Sequence, residues 1–180
     1  ITITGGGGFI GSHAVEHFLK KGWDVTVFDN LSRGEILGKP IKSDFNWEYL
    51  KKTYPGIKFV MGDIRKIEEV EKAVSGSDAI LHTAAQVAVT TSVANPRLDF
   101  EINALGTFNT LEAARKLGTQ PAFVYCSTNK VYGDNVNRLS VTEGKTRYSF
   151  SDQKYSQGIP EELSTDLCEH TPYGCSKFLG

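Results

Sequence analysis

The chain has 180 residues, of which 39% are hydrophobic and 23% are charged, a balance typical of one soluble globular domain with a sizeable core. Its 20 basic and 21 acidic residues leave a net charge of -1, which argues against nucleic acid or a membrane surface as a partner. No run approaches the roughly 18 apolar residues of a membrane span, and the first residues lack the pattern of a signal peptide.

The three cysteines, Cys126, Cys168 and Cys175, show neither a Cys-x-x-Cys pair nor a metal-ligand spacing. An odd set of separated cysteines favours reduced thiols. We therefore expect a cytoplasmic protein with no metal site.

Strand and helix patterns alternate along the first two thirds of the chain. The β-branched start predicts a strand, and apolar residues at helical spacing follow it. The predicted strands are 1–4, 23–29, 57–63, one within 77–85, and 122–128; the predicted helices are 9–22, 45–56, 67–76 and 97–117. This order predicts an α/β fold, a doubly wound parallel sheet of the Rossmann type. Residues 133–171 show no regular pattern, and a last helix begins near Pro172.

A glycine-rich run lies between the first strand and the first helix. Gly5, Gly8 and Gly11 have a Gly-x-x-Gly-x-x-Gly spacing, which lets the backbone turn tightly and approach a pyrophosphate at the helix N-terminus. We expect Phe9 and Ile10 to lie against the same ligand. The run on its own is weak evidence, since glycines also serve in plain turns, but its place between strand and helix favours dinucleotide binding.

Asp29 ends the second predicted strand, where a carboxylate can bind the ribose hydroxyls of a dinucleotide. Because a carboxylate repels a 2′-phosphate, Asp29 favours NAD over NADP. Arg33 is a contrary signal, because it can either meet a phosphate or be a solvated loop charge. We also expect Asn30 and Ser32 to bind the cofactor.

Residues at the ends of the third and fourth strands extend the predicted cofactor site. Asp63, followed by Ile64, can bind an adenine amino group or cap the next helix. Small residues after the fourth strand allow close approach of a flat cofactor or tight packing of helix on sheet; they are Ala84 and Ala85, followed by Gln86. Asn103 is a further cofactor candidate, although it is better suited to hydrogen-bonding nearby backbone.

Tyr173 and Lys177 are four residues apart on the last predicted helix, so their side chains share a face. An ammonium near a phenol stabilises the phenolate, and such a tyrosine can take a proton from a substrate hydroxyl while hydride leaves the same carbon for nicotinamide. A third group is needed to orient that hydroxyl. Ser127 and Thr128 follow the fifth strand, at the sheet edge where such sites lie, although each can instead bond its own backbone.

These motifs resemble the extended short-chain dehydrogenase/reductase family, the NAD-dependent epimerases and dehydratases, in the right order along the whole chain. The runs that carry the resemblance are Gly5-x-x-Gly8-x-x-Gly11, Asp29, "STNKVYG" and Tyr173-x-x-x-Lys177. The resemblance implies a tightly bound NAD, Tyr173 as the acid/base, Lys177 as its partner and a ligand of the nicotinamide ribose, and Thr128 as the hydroxyl nearest the substrate.

Two positions narrow the reaction expected within the family. Nucleotide-sugar 4,6-dehydratases carry an Asp-Glu pair directly after the catalytic Ser/Thr, and this chain has Asn129 and Lys130 there. That difference argues against dehydration. The related decarboxylases usually have Glu directly before "VYG", where this chain has Lys130, so epimerisation remains. The runs "TNKVYGD" and "PYGCSK" are most similar to the 2-epimerases of CDP-linked paratose and tyvelose. The alternatives are a UDP-sugar 4-epimerase and a non-catalytic NAD-sensing module.

The substrate would be a nucleotide sugar, with CDP favoured. We expect it to meet residues after the fourth and fifth strands, namely Val87, Thr91, Ser92, Thr128 and Asn129. Members of the family continue well past position 180, so we expect residues 1–180 to form the NAD-binding domain and a C-terminal substrate-binding domain to be absent from this chain. Helix 97–117 is the predicted contact between subunits of a homo-oligomer.

Overall fold

The computed structural model describes residues 1–38, 42 and 44–180. Its centre is a parallel sheet in the order β3-β2-β1-β4-β5. The strands are β1 (Thr2–Thr4), β2 (Thr26–Asp29), β3 (Lys58–Met61), β4 (Ala79–His82) and β5 (Ala122–Tyr125). They are shorter than the apolar runs that predicted them, but all five are present in the predicted order.

Eight α-helical segments connect or follow these strands in the described residues. They are α1 (Phe9–Lys20), α2 (Arg33–Ile36), α3 (Phe45–Thr53), α4 (Ile67–Val74), α5 (Val89–Ala94), α6 (Pro96–Phe100), α7 (Gly106–Lys116) and α8 (Pro172–Phe178). The short helices α2 and α5 were not expected from the sequence. Within the described residues, no helix has the length and apolar character needed to cross a membrane.

The hydrophobic core is split between the two faces of the sheet. On one face Ile3 and Val27 pack with Val15 of α1 and Leu50 of α3. The other face packs against α4 and α7; its buried members include Phe28, Val70, Ile80 and Ala113. Neighbouring strand residues such as Val27 and Phe28 point to opposite faces. Helices on both sides of a parallel sheet confirm the predicted doubly wound fold.

The chain order of the strands reverses between β1 and β4, which are neighbours in the sheet. At such a switch point the loops after the two strands leave in opposite directions and open a crevice beyond their carboxyl ends. The glycine-rich run follows β1, and Thr83 to Gln86 follow β4. The fold therefore brings the two predicted cofactor segments to one place.

The helix predicted over 97–117 contains one turn of π-helix, Glu101–Leu105, between α6 and α7. Polar side chains occupy much of its buried face; they are Asp99, Asn103, Thr107, Asn109 and Thr110. Large apolar side chains on this helix are partly exposed, with Phe108 at 61%. The helix thus buries several polar groups beside its apolar core residues and leaves some large apolar side chains partly exposed.

The segment 133–171 is less irregular than expected. It contains a small antiparallel hairpin of β6 (Val141–Glu143) and β7 (Tyr148–Phe150). Short 3₁₀ turns occur at Asn135–Arg138 and Gln153–Tyr155. The hairpin was missed because each strand has only three residues, too few for an alternating pattern to stand out.

Candidate active site

The glycine-rich run turns tightly beneath the carboxyl end of β1. Gly5 has φ +69, and a Cβ there would lie 2.7 Å from the backbone nitrogen of Ala84. A Cβ on Gly11 would overlap the carbonyl oxygen of Gly5. Gly8 is the N-cap of α1, and its N–H donates to the Gly5 carbonyl at 2.9 Å. Glycine is thus required for the loop to close and to leave the N-terminus of α1 open.

Asp29 lies at the end of β2, beside this loop. One carboxylate oxygen accepts a hydrogen bond from Gly7 N–H at 2.9 Å, and the other accepts from Leu31 N–H at 2.7 Å. Burial raises the pKa of the Asp29 carboxyl above its ordinary value, although the N–H groups of Leu31 and Gly7 oppose part of that rise. The carboxylate is held rigidly beside the glycine loop by backbone donors.

A cavity of about 790 Å³ opens over the switch point. Every cofactor residue predicted between positions 5 and 86 lines it: Gly5, Gly8, Phe9, Ile10, Gly11, Asp29, Asn30, Ser32, Arg33, Asp63, Ile64, Ala84, Ala85 and Gln86. Val87, predicted to meet the substrate, lines it too. Phe9 and Ile10 are largely exposed, at 67% and 61%, so the start of α1 presents apolar surface to the cavity.

Hydrogen bonds join the predicted residues along the rim of this cavity. Asn30 Oδ1 accepts from the backbone N–H and the hydroxyl of Ser32, and Asn30 Nδ2 donates to Asp63 Oδ2 at 3.2 Å. The Arg65 guanidinium donates to Asp63 at 2.6 Å. The pKa of Asp63 lies below its ordinary value because the hydrogen bonds and charge of Arg65 outweigh burial, which acts in the opposite direction.

One sequence interpretation needs correction here. The suggestion that Asp63 caps the following helix is wrong, because Lys66 is the N-cap of α4 and Asp63 instead accepts from Arg65 N–H. Ser92, predicted to meet substrate, is fully buried, and its hydroxyl donates to Val89 O at 2.7 Å. This hydrogen bond within α5 stabilises the helix. Thr91 is half-buried beside it.

Helix α8 carries the predicted acid/base pair and begins at a well-formed cap. Thr171 Oγ1 accepts from Gly174 N–H at 3.1 Å, and Pro172 occupies the first turn, which are standard helix-start features. Tyr173 is 8% exposed and Lys177 is 3% exposed. The structure therefore holds both side chains within the protein on one short helix.

The ammonium of Lys177 lies over an aromatic ring from the sheet. Its Nζ is 4.0 Å from the centroid of Tyr125, the last residue of β5, whose hydroxyl donates to Lys177 O at 3.1 Å. Burial lowers the pKa of Lys177 from 10.5 to about 8, while Cys126 and Asp99 oppose that shift. The sequence did not indicate Tyr125, because an aromatic residue in a strand usually belongs to the core.

Thr128 and Ser127 follow β5 next to this helix. Thr128 caps the 3₁₀ turn Asn129–Tyr132, its Oγ1 accepting from Lys130 N–H at 3.3 Å. A Cβ on Gly174 of α8 would lie 2.7 Å from Lys130 O, so α8 packs directly against that turn. Asn129 is exposed, with Oδ1 3.4 Å from Thr128 Oγ1. The fold thus places the predicted hydroxyl and the predicted pair on adjacent segments.

A fully buried histidine supports the strands below the pair. His82, at the end of β4, contacts the hydroxyls of Thr4 at 2.8 Å and Thr107 at 3.1 Å. Since Thr107 donates its own proton to Asn103 O at 2.6 Å, it accepts from His82 Nε2, and Thr4 donates to Nδ1. Burial, helped by the charge of Lys177, lowers the pKa of His82 to about 3. His82 is therefore neutral and has a structural role.

Asn103 lies in the π-helical turn and holds the loop after β4. Its Oδ1 accepts from Gln86 N–H at 2.9 Å, and its Nδ2 donates to Gln86 O at 3.0 Å. Its backbone-holding role is therefore as expected, while direct contact with a cofactor stays a prediction. Asn103, Ser127, Tyr173 and Lys177 do not line the cavity; Asn103 connects to it through Gln86.

The comparisons with known proteins agree with this geometry. The family model of the NAD dependent epimerase/dehydratase family matches residues 1–180. The chain belongs to this family. A CDP-paratose 2-epimerase of Salmonella typhi is 42% identical over 98% of this chain and 49% of that protein. A putative UDP-glucose 4-epimerase of Methanocaldococcus jannaschii is 35% identical over 100% of this chain and 48% of its own length.

A solved structure has a similar fold. The UDP-glucose 4-epimerase of Thermus thermophilus, in complex with NAD, is 34% identical with a TM-score of 0.64, covering 98% of this chain and 47% of that one. The present chain spans about half the length of the relatives it matches.

The residues of the cavity fit NAD, the cofactor of this family. The glycine loop closes tightly because a Cβ on Gly5 or Gly11 would meet backbone atoms, and it leads into the N-terminus of α1, where a pyrophosphate is favoured. Asp29 places a carboxylate beside it for ribose hydroxyls. When bound, NAD would supply a hydride acceptor that can return the hydride, and the residues that line the cavity would hold it.

Proposed function

We propose that the protein containing this chain is an NAD-dependent nucleotide-sugar epimerase that interconverts CDP-paratose and CDP-tyvelose by inversion at C2. The choice of substrate is supported by the 42% identity to the Salmonella typhi CDP-paratose 2-epimerase over 98% of the chain. The identity to the putative UDP-glucose 4-epimerase of Methanocaldococcus jannaschii is 35%. Asn129 and Lys130, in place of the dehydratase carboxylates, support epimerisation over loss of water.

In this proposal Tyr173 takes the proton of the C2 hydroxyl when the carbon is oxidised and returns it when the carbon is reduced on its other face. Lys177 stabilises the phenolate and holds the nicotinamide ribose, and Thr128 orients the hydroxyl. The half-buried Thr128, next to the turn that packs on α8, supports that assignment. NAD stays bound through the cycle, so no external reductant is used.

The proposal extends to the rest of the protein. Residues 1–180 would form the NAD-binding domain, and a C-terminal part would bind the nucleotide sugar. A second copy of the chain would cover the exposed apolar side of the long helix, where Phe100, Phe108 and Leu111 are 52%, 61% and 43% exposed. The three separated free cysteines are consistent with a cytoplasmic location.

A UDP-sugar 4-epimerase is the second candidate. It is favoured by the 35% identity to the Methanocaldococcus jannaschii protein over 100% of this chain. The two candidates share the NAD cradle and the Tyr173–Lys177 pair and differ in the nucleotide and in the carbon inverted.

The test uses the full-length protein and CDP-tyvelose without added cofactor, in D₂O, with the C2 configuration followed by NMR. We expect CDP-paratose to form with C2 still bearing protium, because the abstracted hydride returns without exchange. A Tyr173→Phe variant, which keeps the ring and lacks the proton, should be inactive. Turnover of UDP-galactose but not CDP-tyvelose would replace the proposal with the 4-epimerase.

A further inference from the structure

Asp99 is a buried carboxylate on α6 that no motif identified. It is 1% exposed and accepts three hydrogen bonds, from Ser176 Oγ at 2.5 Å, Gln86 Nε2 at 2.8 Å and Asn103 Nδ2 at 3.1 Å. All three partners are donors, which is the arrangement that an ionised carboxylate requires. Burying a carboxylate costs free energy that neutral hydrogen-bond donors offset only in part.

The three partners of Asp99 come from the three parts of the candidate site. Gln86 belongs to the loop that lines the cavity, Asn103 to the π-helical turn, and Ser176 to α8 between Tyr173 and Lys177. Asn103 Nδ2 also lies 3.1 Å from Ser176 Oγ. One carboxylate therefore fastens the cavity wall and the helix of the acid/base pair to the same turn.

Asp99 also acts on the buried cation of the pair. The titratable groups near Lys177 come from several elements: His82 of β4, Tyr125 of β5, Cys126 after it, Tyr173 of α8 and Asp99 of α6. His82 is neutral, as its hydrogen bonds and burial show. Asp99 is thus a negative charge that favours the ammonium form of Lys177, against the effect of burial.

We propose that Asp99 is a positioning residue for the Tyr173–Lys177 pair, which couples the loop carrying Gln86 to α8 through one carboxylate. The inference deepens the proposed function, because it assumes that Tyr173 and Lys177 act together with bound NAD. We expect that ordering of the cavity loop by NAD is transmitted through Asp99 to α8, and that the charge of Asp99 favours the ammonium form of Lys177.

The test exploits the geometry of an Asp99→Asn substitution. The amide oxygen can still accept from Gln86 and Asn103, and the amide NH₂ can donate to Ser176 Oγ, whose own proton can turn to Tyr173 O at 3.1 Å. The variant therefore removes the charge and retains the hydrogen-bonded shape. Glu68→Gln, which removes an exposed carboxylate at the start of α4, is the matched control.

Two readouts on the full-length protein do not depend on the sugar. The first is the titration of Lys177, followed by NMR of the side chain in the cofactor-free protein; the second is the Kd for NAD. With Asp99→Asn we expect the titration midpoint of Lys177 to fall below its wild-type value and the Kd for NAD to rise about tenfold, with an unchanged Tm. Glu68→Gln should change neither.

A Ser176→Ala variant removes the hydrogen bond from α8 to Asp99 and keeps the charge of Asp99. It also provides a test if Asp99→Asn does not fold. It should leave the Lys177 titration in place but lower kcat more than it changes KM, because α8 loses its link to the turn. A wild-type titration and NAD affinity in Asp99→Asn, or wild-type kcat in Ser176→Ala, would overturn the inference. Altered titration without any sugar turnover would instead count against the proposed function alone.

Discussion

A Lys177→Met substitution should change how the free energy of unfolding of the cofactor-free protein depends on pH. Lys177 is 3% exposed, and burial lowers its pKa from 10.5 to about 8. Between these values the folded protein has released the proton while the unfolded chain still holds it. Stability therefore rises with pH over this window, and the penalty for burying the ammonium is fully present only below pH 8.

The shift is about 2.5 units, and each unit is worth about 1.36 kcal/mol, so the gain across the window is about 3 kcal/mol. Urea unfolding at intervals between pH 7 and pH 10 measures it. The Met variant should lack this gain, whereas Lys52→Met, at an exposed position of α3, should keep it. A constant difference between wild type and Lys177→Met at every pH would refute the argument that burial destabilises the ammonium.

Three further changes test the candidate site. Gly11→Ala should destabilise the loop by about 2 kcal/mol and abolish NAD binding by calorimetry, since its Cβ would overlap Gly5 O; unchanged affinity would contradict the cradle. Asp29→Asn should weaken NAD binding at least ~10-fold through loss of a charged acceptor, and because burial raises the pKa of Asp29, wild-type affinity should fall as the pH is lowered. Tyr125→Leu removes the ring under the Lys177 ammonium, a contact of about 1–2 kcal/mol, and should raise the Kd for NAD ~10-fold, while Tyr125→Phe should stay within about threefold.

The sequence brought the predicted cofactor residues to one cavity because their signals are local. The glycine spacing, Asp29 and the small residues Ala84 and Ala85 each follow a strand, and parallel strands bring their carboxyl ends to one edge. The prediction of a parallel sheet rests on the alternation of strands and helices along the chain. That alternation can be recognised even when each predicted boundary is wrong by several residues. The predicted residues therefore line one cavity, and their contact with a cofactor stays a prediction.

The parts that escaped prediction depend on contacts between distant segments. Asp99 and Ser176 are 77 positions apart, and Tyr125 and Lys177 are 52 apart. A signal for Asp99 was nevertheless present, because Asp99, Asn103, Thr107 and Thr110 recur at helical spacing along the buried side of the long helix. A polar stripe of that kind indicates a buried hydrogen-bond network, and such a network needs a partner elsewhere in the chain.

The π-helical turn sets the orientation of the exposed side of α7 relative to the buried Asp99 network. Such a turn is in effect one residue inserted into an α-helix, and one residue corresponds to a rotation of about 100°. Asp99 lies before the π-helical turn and Phe108 lies after it. The direction in which Phe108 points relative to Asp99 therefore depends on the inserted residue. Deleting one residue from Glu101–Leu105 would turn the apolar side of α7 by about a quarter of a circle relative to the Asp99 network. Either the site or the outward face of α7 can then keep its orientation, but not both.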